Sequence, residues 1–215
     1  MAIQRLVFLR PGETDWNKME RWQGTVAVPL NETGRAQAER VAQYIRNTGM
    51  NALYTSDLRR AVETAQIIAA AIDLQPVQDA RLRERAVGIW QGLTRREIAL
   101  WYPEEYAQLQ ADPENYRIPG GESRRDVRER VQSFMADLFA KEQGEVVGIL
   151  SHTTAMRTLL PELVPDFAAD KIKYSNMSVT TLGREGDGPW RIIMLDDTRH
   201  LEGLSTMAFG ELEDR

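Results

Sequence analysis

Short apolar runs alternate along this chain with stripes of apolar residues at helical spacing. Runs rich in apolar and β-branched residues predict strands, at residues 5–9, 51–55, 75–79, 145–150, 179–182 and 190–195. Apolar residues spaced by three and four predict helices. The first helix is introduced by residues 30–34 and stops near Gly49, and the second is capped by Ser56 or Asp57. Four more are predicted at 94–101, 103–111, 122–141 and 153–163. This alternation indicates an α/β fold, a three-layer sandwich with a largely parallel central sheet flanked by helices.

The chain has 215 residues, 42% of them hydrophobic and 27% charged, which is typical of a globular protein. Neither an internal repeat nor a low-complexity linker divides it, so we expect a single domain over residues 1–215. The pattern weakens after about Leu204, and residues 204–215 are therefore a candidate disordered tail.

Charge and composition limit the classes of partner. The net charge of -5 at pH 7 argues against a general nucleic-acid or membrane-surface binder, because both partners are polyanions. There is no cysteine, and the acidic residues show no ligand spacing, so we expect neither a metal nor another cofactor. The early apolar run is too short for a signal sequence or a membrane span, which makes a cytoplasmic location the expectation. No pattern indicates an oligomeric state.

Two cationic or titratable residues directly follow predicted strands. Arg10 comes after the first run, and His152 comes two residues after the run at 145–150. Ligands of open α/β sheets collect beyond the carboxyl ends of the strands. The sequence therefore predicts that Arg10 and His152 share a pocket.

Five separated groups of residues resemble the motifs of the histidine phosphatase (phosphoglycerate mutase-like) family. They occur in the family's order and span most of the chain, at residues 9–17 (L-R-P-G-E-T-D-W-N), 21–34, 56–65 (S-D-L-R-R-A-V-E-T-A), 82–92 (L-R-E…G-I-W-Q-G), and 119–123 with 151–152. The short segment between Glu84 and Gly120 is similar to the phosphatase branch rather than to the true mutases.

The resemblance implies three catalytic positions. In the family pattern L-R-H-G-E-T the histidine is the nucleophile that becomes phosphorylated, and here Pro11 stands in that position. Proline has neither a side-chain lone pair nor a backbone N–H, so it cannot carry a phosphoryl group. Glu84 is implied as the proton donor to the leaving alkoxide, and His152 as the second catalytic histidine.

The same resemblance implies a set of phosphate or substrate contacts, namely Arg10, Gly12, Asn17, Gln23, Gly24, Arg60 and Thr153. Phosphoryl transfer depends mainly on positioning and on stabilising charge at the equatorial oxygens. Arginine suits this task because its planar fork of donors matches those oxygens. The motif assigns the phosphate contact to Arg60 rather than to Arg59. Trp22 and residues 101–115 are the candidates for reading the organic part of a small-molecule phosphate ester.

Three functional interpretations stay open. In the first interpretation, the chain is a phosphatase or mutase scaffold that hydrolyses a phosphate monoester in its active form and is impaired here by Pro11. Alternatively it is a natural pseudoenzyme that binds a phosphometabolite or regulates through it, which Thr153 favours because the family usually has glycine there. In the third interpretation it hydrolyses slowly by direct attack of water. His200, in a C-terminal segment, is expected to be structural.

Overall fold

The computed structural model describes residues 2–141, 144–165, 167–168 and 172–204. Its strands are β1 (Arg5–Leu9), β2 (Ala52–Thr55), β3 (Val77–Gln78), β4 (Val146–Leu150), β5 (Val179–Gly183) and β6 (Arg191–Asp197). They form one six-stranded sheet in the order β3-β2-β4-β1-β5-β6. The first four strands in that order are parallel, whereas β5 is antiparallel to β1 and β6 to β5.

Seven α-helices accompany the sheet within the described residues, α1 (Asp15–Lys18), α2 (Glu32–Ile45), α3 (Arg59–Ile72), α4 (Arg95–Trp101), α5 (Pro103–Ala111), α6 (Arg124–Ala140) and α7 (Thr153–Leu163). Helices α2 and α3 cover one face of the sheet, and α6 and α7 cover the other. The predicted three-layer sandwich with a largely parallel sheet is confirmed.

The alternation of side chains along β1 explains why both faces need helices. Leu6 and Phe8 pack into the cluster that contains α6 and α7, whereas Val7 and Leu9 pack into the cluster with α2 and α3. Successive side chains of a strand point to opposite faces of the sheet. All four are nearly inaccessible to solvent, so β1 is buried on both sides, as its continuous apolar run predicted.

A third apolar cluster is formed by Trp22 and by residues between positions 87 and 118. Trp90 lies at its centre and is fully buried beneath α4 and α5, with Ile98 of α4 beside it. The ring of Trp22 meets that of Trp90 edge-on, with 5.7 Å between centroids. This packing joins residues 21–24 to the α4–α5 segment. Both segments therefore rest on the same apolar cluster.

Some predicted details are wrong. Neither Ser56 nor Asp57 caps α3, which begins at Arg59 after Leu58 without a side-chain cap. The Ser56 hydroxyl instead accepts from the Leu58 N–H at 3.2 Å, and the Asp57 carboxylate accepts from Arg83 at 2.5 and 2.7 Å. The helix predicted from residue 122 begins at Arg124, because Ser123 forms the N-terminal cap. Residues 205–215 of the predicted tail lie outside the described residues.

Candidate functional site

A pocket of about 870 Å³ lies at the carboxyl ends of β1 and β4. All ten residues that the sequence indicated line it, namely Arg10, Pro11, Gly12, Asn17, Gln23, Gly24, Arg60, Glu84, His152 and Thr153. They come from the loops after β1 and β4, from α1 and the segment between α1 and α2, from the first turns of α3 and α7, and from the segment between β3 and α4. The fold therefore brings together residues that are up to 143 positions apart.

Arg10 leaves the end of β1 and is buried, with Nη1 donating to the carbonyl of Tyr174 at 2.5 Å. Burial lowers the pKa of Arg10 to about 10, and the nearby carboxylate of Glu84 partly opposes that shift. The guanidinium therefore stays charged at neutral pH. A carbonyl orients such a group without neutralising it, so Arg10 brings a positive charge to the pocket.

Gly12 makes the turn after Arg10 possible through close backbone contact with α2. A Cβ at position 12 would come within 2.4 Å of the Gly34 carbonyl oxygen, and one at Gly34 within 2.1 Å of the Glu13 carbonyl oxygen. Glycine is the residue that permits such an approach. The Gly12 N–H donates to the Thr64 hydroxyl at 3.2 Å. The amide is therefore already bonded to α3, and the role of Gly12 at a ligand stays a prediction.

Arg60 is the buried arginine of the first turn of α3, as the motif assigned. Its Nη2 donates to the Gly24 carbonyl at 2.9 Å, and Nη1 donates to the Val26 carbonyl at 3.2 Å. Burial lowers the pKa of Arg60 to about 10. Arg59 by contrast is exposed and forms an ion pair with Glu63 at 2.8 Å. Of these two neighbouring arginines, Arg60 is therefore the one whose charge faces the pocket.

His152 stands at the N-terminal end of α7 and is 3% exposed. Its Nδ1 lies 3.3 Å from Nη2 of Arg60. A guanidinium can only donate, so Nδ1 accepts and the proton of a neutral ring is on Nε2. Burial lowers the pKa of His152 well below its usual value, and the charges of Arg60, Arg10 and Arg130 add to that shift.

The Nε2 atom of His152 is buried and has no hydrogen-bond partner in the part of the chain that the structure describes. A buried donor without a partner is costly. In the neutral tautomer this atom carries N–H, so His152 offers a ligand a hydrogen-bond donor. It does not offer a nucleophilic lone pair while Arg60 occupies Nδ1.

Glu84 lies on the pocket wall beside the start of α7. Its Oε1 accepts from the Arg85 N–H at 2.7 Å, and Oε2 accepts from the Thr154 N–H at 3.2 Å. The Thr154 contact ties the carboxyl to the α7 terminus that also carries His152, and the Arg85 contact is local. The predicted proton donor is thus positioned by backbone on both sides.

The remaining indicated residues form the rim and floor. Thr14 caps α1 and Asn17 completes the capping box, with its Oδ1 accepting from the Thr14 N–H at 3.0 Å, so Nδ2 is the atom that Asn17 can offer a ligand. Gln23 is buried, and its Oε1 has no partner among the described residues. Gly24 has φ +51 and faces Val87. Thr153, the first residue of α7, is buried in the pocket.

The structure adds pocket residues that the sequence did not indicate. Arg85, Arg157 and Asn176 line the pocket. Asn176 lies in the irregular segment before β5, where neither periodicity nor a motif marks it. Arg157 follows Thr153 by one helical turn on α7, a spacing that could have indicated it. Trp22, Tyr106 and Gln110 also line the pocket, as expected for part of the candidate organic-group region, whereas Trp101 is 57% exposed and is not among the lining residues.

His200 is away from this pocket, as expected. Its Nε2 lies 2.9 Å from the Met177 carbonyl oxygen, and its ring stacks on Tyr44. Among the described residues no group of three or more His, Asp or Glu side chains is arranged to hold a metal ion. No helix within the described ranges is long and apolar enough to cross a membrane.

Comparison with known proteins gives the family of the chain. Residues 6–198 match the profile of the histidine phosphatase superfamily (branch 1). The chain belongs to this superfamily. Phosphoglycerate mutase-like protein 4 of Arabidopsis thaliana is 36% identical over 214 residues, which cover 98% of this chain and 92% of the relative. Phosphoserine phosphatase 1 of Hydrogenobacter thermophilus is 30% identical over 80% of this chain and 84% of its own.

A solved histidine phosphatase structure extends the likeness to three dimensions. A mycobacterial glucosyl-3-phosphoglycerate phosphatase in complex with VO3 superposes with a TM-score of 0.79 at 33% identity. The alignment covers 91% of this chain and 100% of the other. The chain therefore resembles, in fold and in overall sequence, proteins named as phosphatases and as mutase-like.

Proposed function

We propose that this chain binds the phosphate group of a small-molecule phosphate monoester in the pocket between Arg10, Arg60 and His152. The observation that carries the proposal is their convergence at the start of α7: two buried, charged guanidinium groups and a buried imidazole N–H without a partner among the described residues. Phosphate oxygens accept from such donors, and a helix N-terminus adds favourable backbone dipoles. The VO3 complex of a structural relative supports the assignment.

We further propose that the scaffold is that of a phosphatase acting through a phosphohistidine, and that Pro11 stands where its nucleophile belongs. Pro11 is buried and lines the pocket beside Arg10. The reaction needs an atom that attacks phosphorus opposite the leaving oxygen, and the pyrrolidine ring has none. Arg10 and Arg60 would still stabilise charge on the phosphoryl group, and Glu84 would still protonate the leaving oxygen. Turnover of this chain is therefore expected to be severely impaired.

A natural pseudoenzyme that binds a phosphometabolite or regulates through it is the second candidate, favoured by Thr153. Thr153 is buried in the pocket and is the first residue of α7. A side chain at this position restricts the space for a phosphoryl group during transfer. Its hydroxyl can donate a hydrogen bond to the phosphate group of a ligand that is bound without reacting. A mutase activity and slow hydrolysis by direct attack of water are the remaining alternatives. Both alternatives require this chain to turn over its substrate without a phosphoryl group on residue 11, because proline cannot carry one.

The test is turnover of a chromogenic phosphate monoester by this chain beside its Pro11→His and Pro11→Ala versions. We expect Pro11→His to gain hydrolysis and to form a phosphohistidine that rapid quenching with a labelled ester traps. Removing a nucleophile in another enzyme class leaves a residual acceleration of roughly 10³–10⁴ over water, so the parent chain should be far slower. Pro11→Ala controls for the loss of the ring alone and should stay inactive.

Equal rates for all three proteins would show that position 11 does not limit catalysis. Calorimetry with inorganic phosphate separates binding from turnover. Phosphate binding without any activity in Pro11→His would favour the pseudoenzyme.

A further inference from the structure

The segment at residues 119–123 (P-G-G-E-S) is one of the five groups that resemble the family, yet within the described part of the chain none of its residues is among those that line the pocket. It packs instead against the backbone next to Glu84. A Cβ at Gly121 would come within 2.4 Å of the Ala86 carbonyl oxygen. The Glu122 N–H donates to the same carbonyl at 2.9 Å. This motif therefore contacts the chain two residues after the predicted proton donor.

The backbone around Glu84 is irregular. Residues 83–87 belong to neither a helix nor a strand, so the hydrogen bonds of a regular element do not fix them. Backbone carbonyls that are shielded from water still need donors. The Ser151 hydroxyl, for example, donates to the Leu82 carbonyl at 2.8 Å. The position of Glu84 therefore depends on side chains from other parts of the fold.

Arg130 of α6 provides most of these donors. Its Nη1 donates to the carbonyls of Arg81 and Arg83, both at 2.7 Å, and its Nη2 donates to the Glu84 carbonyl at 3.0 Å. The other two hydrogen bonds go to the Glu122 carboxylate, from Nε at 2.9 Å and from Nη2 at 3.1 Å. A guanidinium has five N–H donors in a rigid planar fork. All of them are used, so the direction of Arg130 is fixed.

Glu122 holds the backbone on the other side of Glu84. Its Oε2 accepts from the Ala86 N–H at 2.8 Å as well as from Arg130. The side chains of Arg130 and Glu122 are only 17% and 24% exposed, and partial burial strengthens a bidentate ion pair relative to one at the surface. Together the two side chains bind the backbone before, at and after Glu84.

The side chain of Glu84 extends from this backbone into the pocket. Its carboxyl accepts from the N–H groups of Arg85 and Thr154. A proton donor has to lie within about 2.6–3.2 Å of the atom that receives the proton. A displacement of about 1 Å can slow a reaction by roughly 10²-fold. The groups that fix the backbone at Glu84 therefore control its chemistry without contacting a ligand.

We propose that Arg130, together with Glu122, is a positioning residue that holds the Glu84 carboxyl at the leaving oxygen of the substrate. The proposal rests on the proposed function, because it takes Glu84 as the proton donor. In that reaction the attacking group takes the phosphoryl group, and the bond between phosphorus and the leaving oxygen breaks. The proton of the Glu84 carboxyl moves to that oxygen.

Variation of the leaving group in the Pro11→His chain, which supplies the attacking imidazole, tests this role. An alkoxide needs a proton as it leaves, whereas p-nitrophenolate is a stable anion that needs little help. We expect Arg130→Gln to lower kcat/KM about tenfold or more for propyl phosphate but about threefold or less for p-nitrophenyl phosphate, because only the former depends on general acid catalysis. Arg130→Lys should show a smaller loss with the same selectivity. A merely structural role would lower both values equally.

The selective loss should disappear in a chain that already lacks the proton donor. In the Glu84→Gln background, Arg130→Gln should leave the ratio of kcat/KM for the two esters within about twofold, because the two residues act as one unit. The control is Arg128→Gln. Arg128 lies on the same helix and pairs with Glu114 and Glu162 instead, so its loss should leave the ratio unchanged.

Amide hydrogen exchange tests the geometry without turnover, on the chain with Pro11. The Thr154 N–H donates to the Glu84 carboxyl at 3.2 Å, so its exchange reports whether that carboxyl is in place. Arg130→Gln should speed this exchange about tenfold or more, as for the loss of a hydrogen bond to a charged group. Arg128→Gln should not change it. Unchanged slow exchange of the β4 amides shows that each variant is folded.

Equal losses for the two esters in Arg130→Gln overturn the proposal, and so does unchanged Thr154 exchange in a folded Arg130 variant. If Arg130→Gln fails to fold, Arg130→Lys carries both comparisons, because it keeps a positive charge beside Glu122 but lacks the planar fork. Failure of the proposed function is distinguishable. The Pro11→His chain would then hydrolyse neither ester, and Thr154 exchange would still decide whether Arg130 holds Glu84.

Discussion

The amide nitrogen of Asn176 lies 3.0 Å from the carbonyl oxygen of Pro11. Proline has no N–H, so this carbonyl is the only backbone group through which the residue can be held. Asn176 belongs to a segment in which Tyr174 and Met177 have φ +50 and +56, values that are uncommon for residues other than glycine. The hydrogen bond thus joins a conformationally costly segment to the loop after β1, and both contribute walls of the pocket.

Asn176→Ala should lower the free energy of unfolding by about 1–3 kcal/mol, because the buried Pro11 carbonyl loses its donor. Phosphate affinity should fall as well, since the Tyr174 carbonyl that orients Arg10 lies two residues away. Denaturant unfolding and phosphate calorimetry measure the two effects. Asn115→Ala is the control, because Asn115 is exposed and bonds only locally to Asp112. Wild-type stability in Asn176→Ala would mean that the contact does not hold the loop.

Arg60→Ala should weaken the binding of inorganic phosphate by roughly 10-fold to 100-fold, as expected for hydrogen bonds to a charged group. Arg59→Ala should leave binding unchanged, because Arg59 is a surface residue paired with Glu63. Calorimetry at one fixed salt concentration gives both values. Comparable losses in the two variants would indicate a general electrostatic attraction rather than a specific site.

His152→Ala should weaken phosphate binding, because it removes the buried Nε2 donor. Glu84→Gln should bind phosphate as well as the parent chain or better, since it removes a negative charge from the pocket that receives a dianion. Any residual hydrolysis should fall in both variants if water attacks directly. Markedly weaker phosphate binding by Glu84→Gln would recast Glu84 as a structural residue.

The buried imidazole should make stability depend on pH. Below about 6.5 the unfolded chain protonates His152, whereas the folded chain resists because burial and nearby arginines lower the pKa of this residue. The unfolded state then binds more protons, so the free energy of unfolding falls as the pH is lowered from 6.5 toward the folded pKa, by at most about 1.4 kcal/mol per unit. His152→Asn should lose less stability over that interval. Parallel curves for the two proteins would show that His152 takes up its proton as readily in the folded state as in the unfolded state.

The periodicity of the chain predicted most of the fold, but it did so unevenly. The strand Arg5–Leu9 and the helix Thr153–Leu163 have the predicted bounds, because continuous apolar runs and helical stripes reflect burial on sheet and helix faces. The cap of α3 was wrong because the Ser56 hydroxyl accepts from the Leu58 N–H, ahead of the helix, and the Asp57 carboxylate binds Arg83 across the fold. Such tertiary competition for a polar side chain leaves no trace in local sequence.

The pocket shows the same division. Its ten indicated residues were found through motifs, and all of them line it. Asn176 was missed because its role depends on a contact with Pro11, 165 positions away. The occupied amide of Gly12 was missed for a similar reason, since Thr64 approaches only when α3 packs beside the loop. Residue type predicts what a group can bind, whereas folding decides which groups are still available.

The distance along the chain between the walls of the pocket has a consequence for its synthesis. Arg10 emerges from the ribosome first, and His152 and Asn176 follow much later, after β4 and α7. If the pocket binds phosphate as proposed, a nascent chain cannot do so with full affinity until these later segments have folded against β1. Because a ligand that binds only the folded state stabilises it by mass action, phosphate can support the finished protein but cannot assist the earlier steps of its folding.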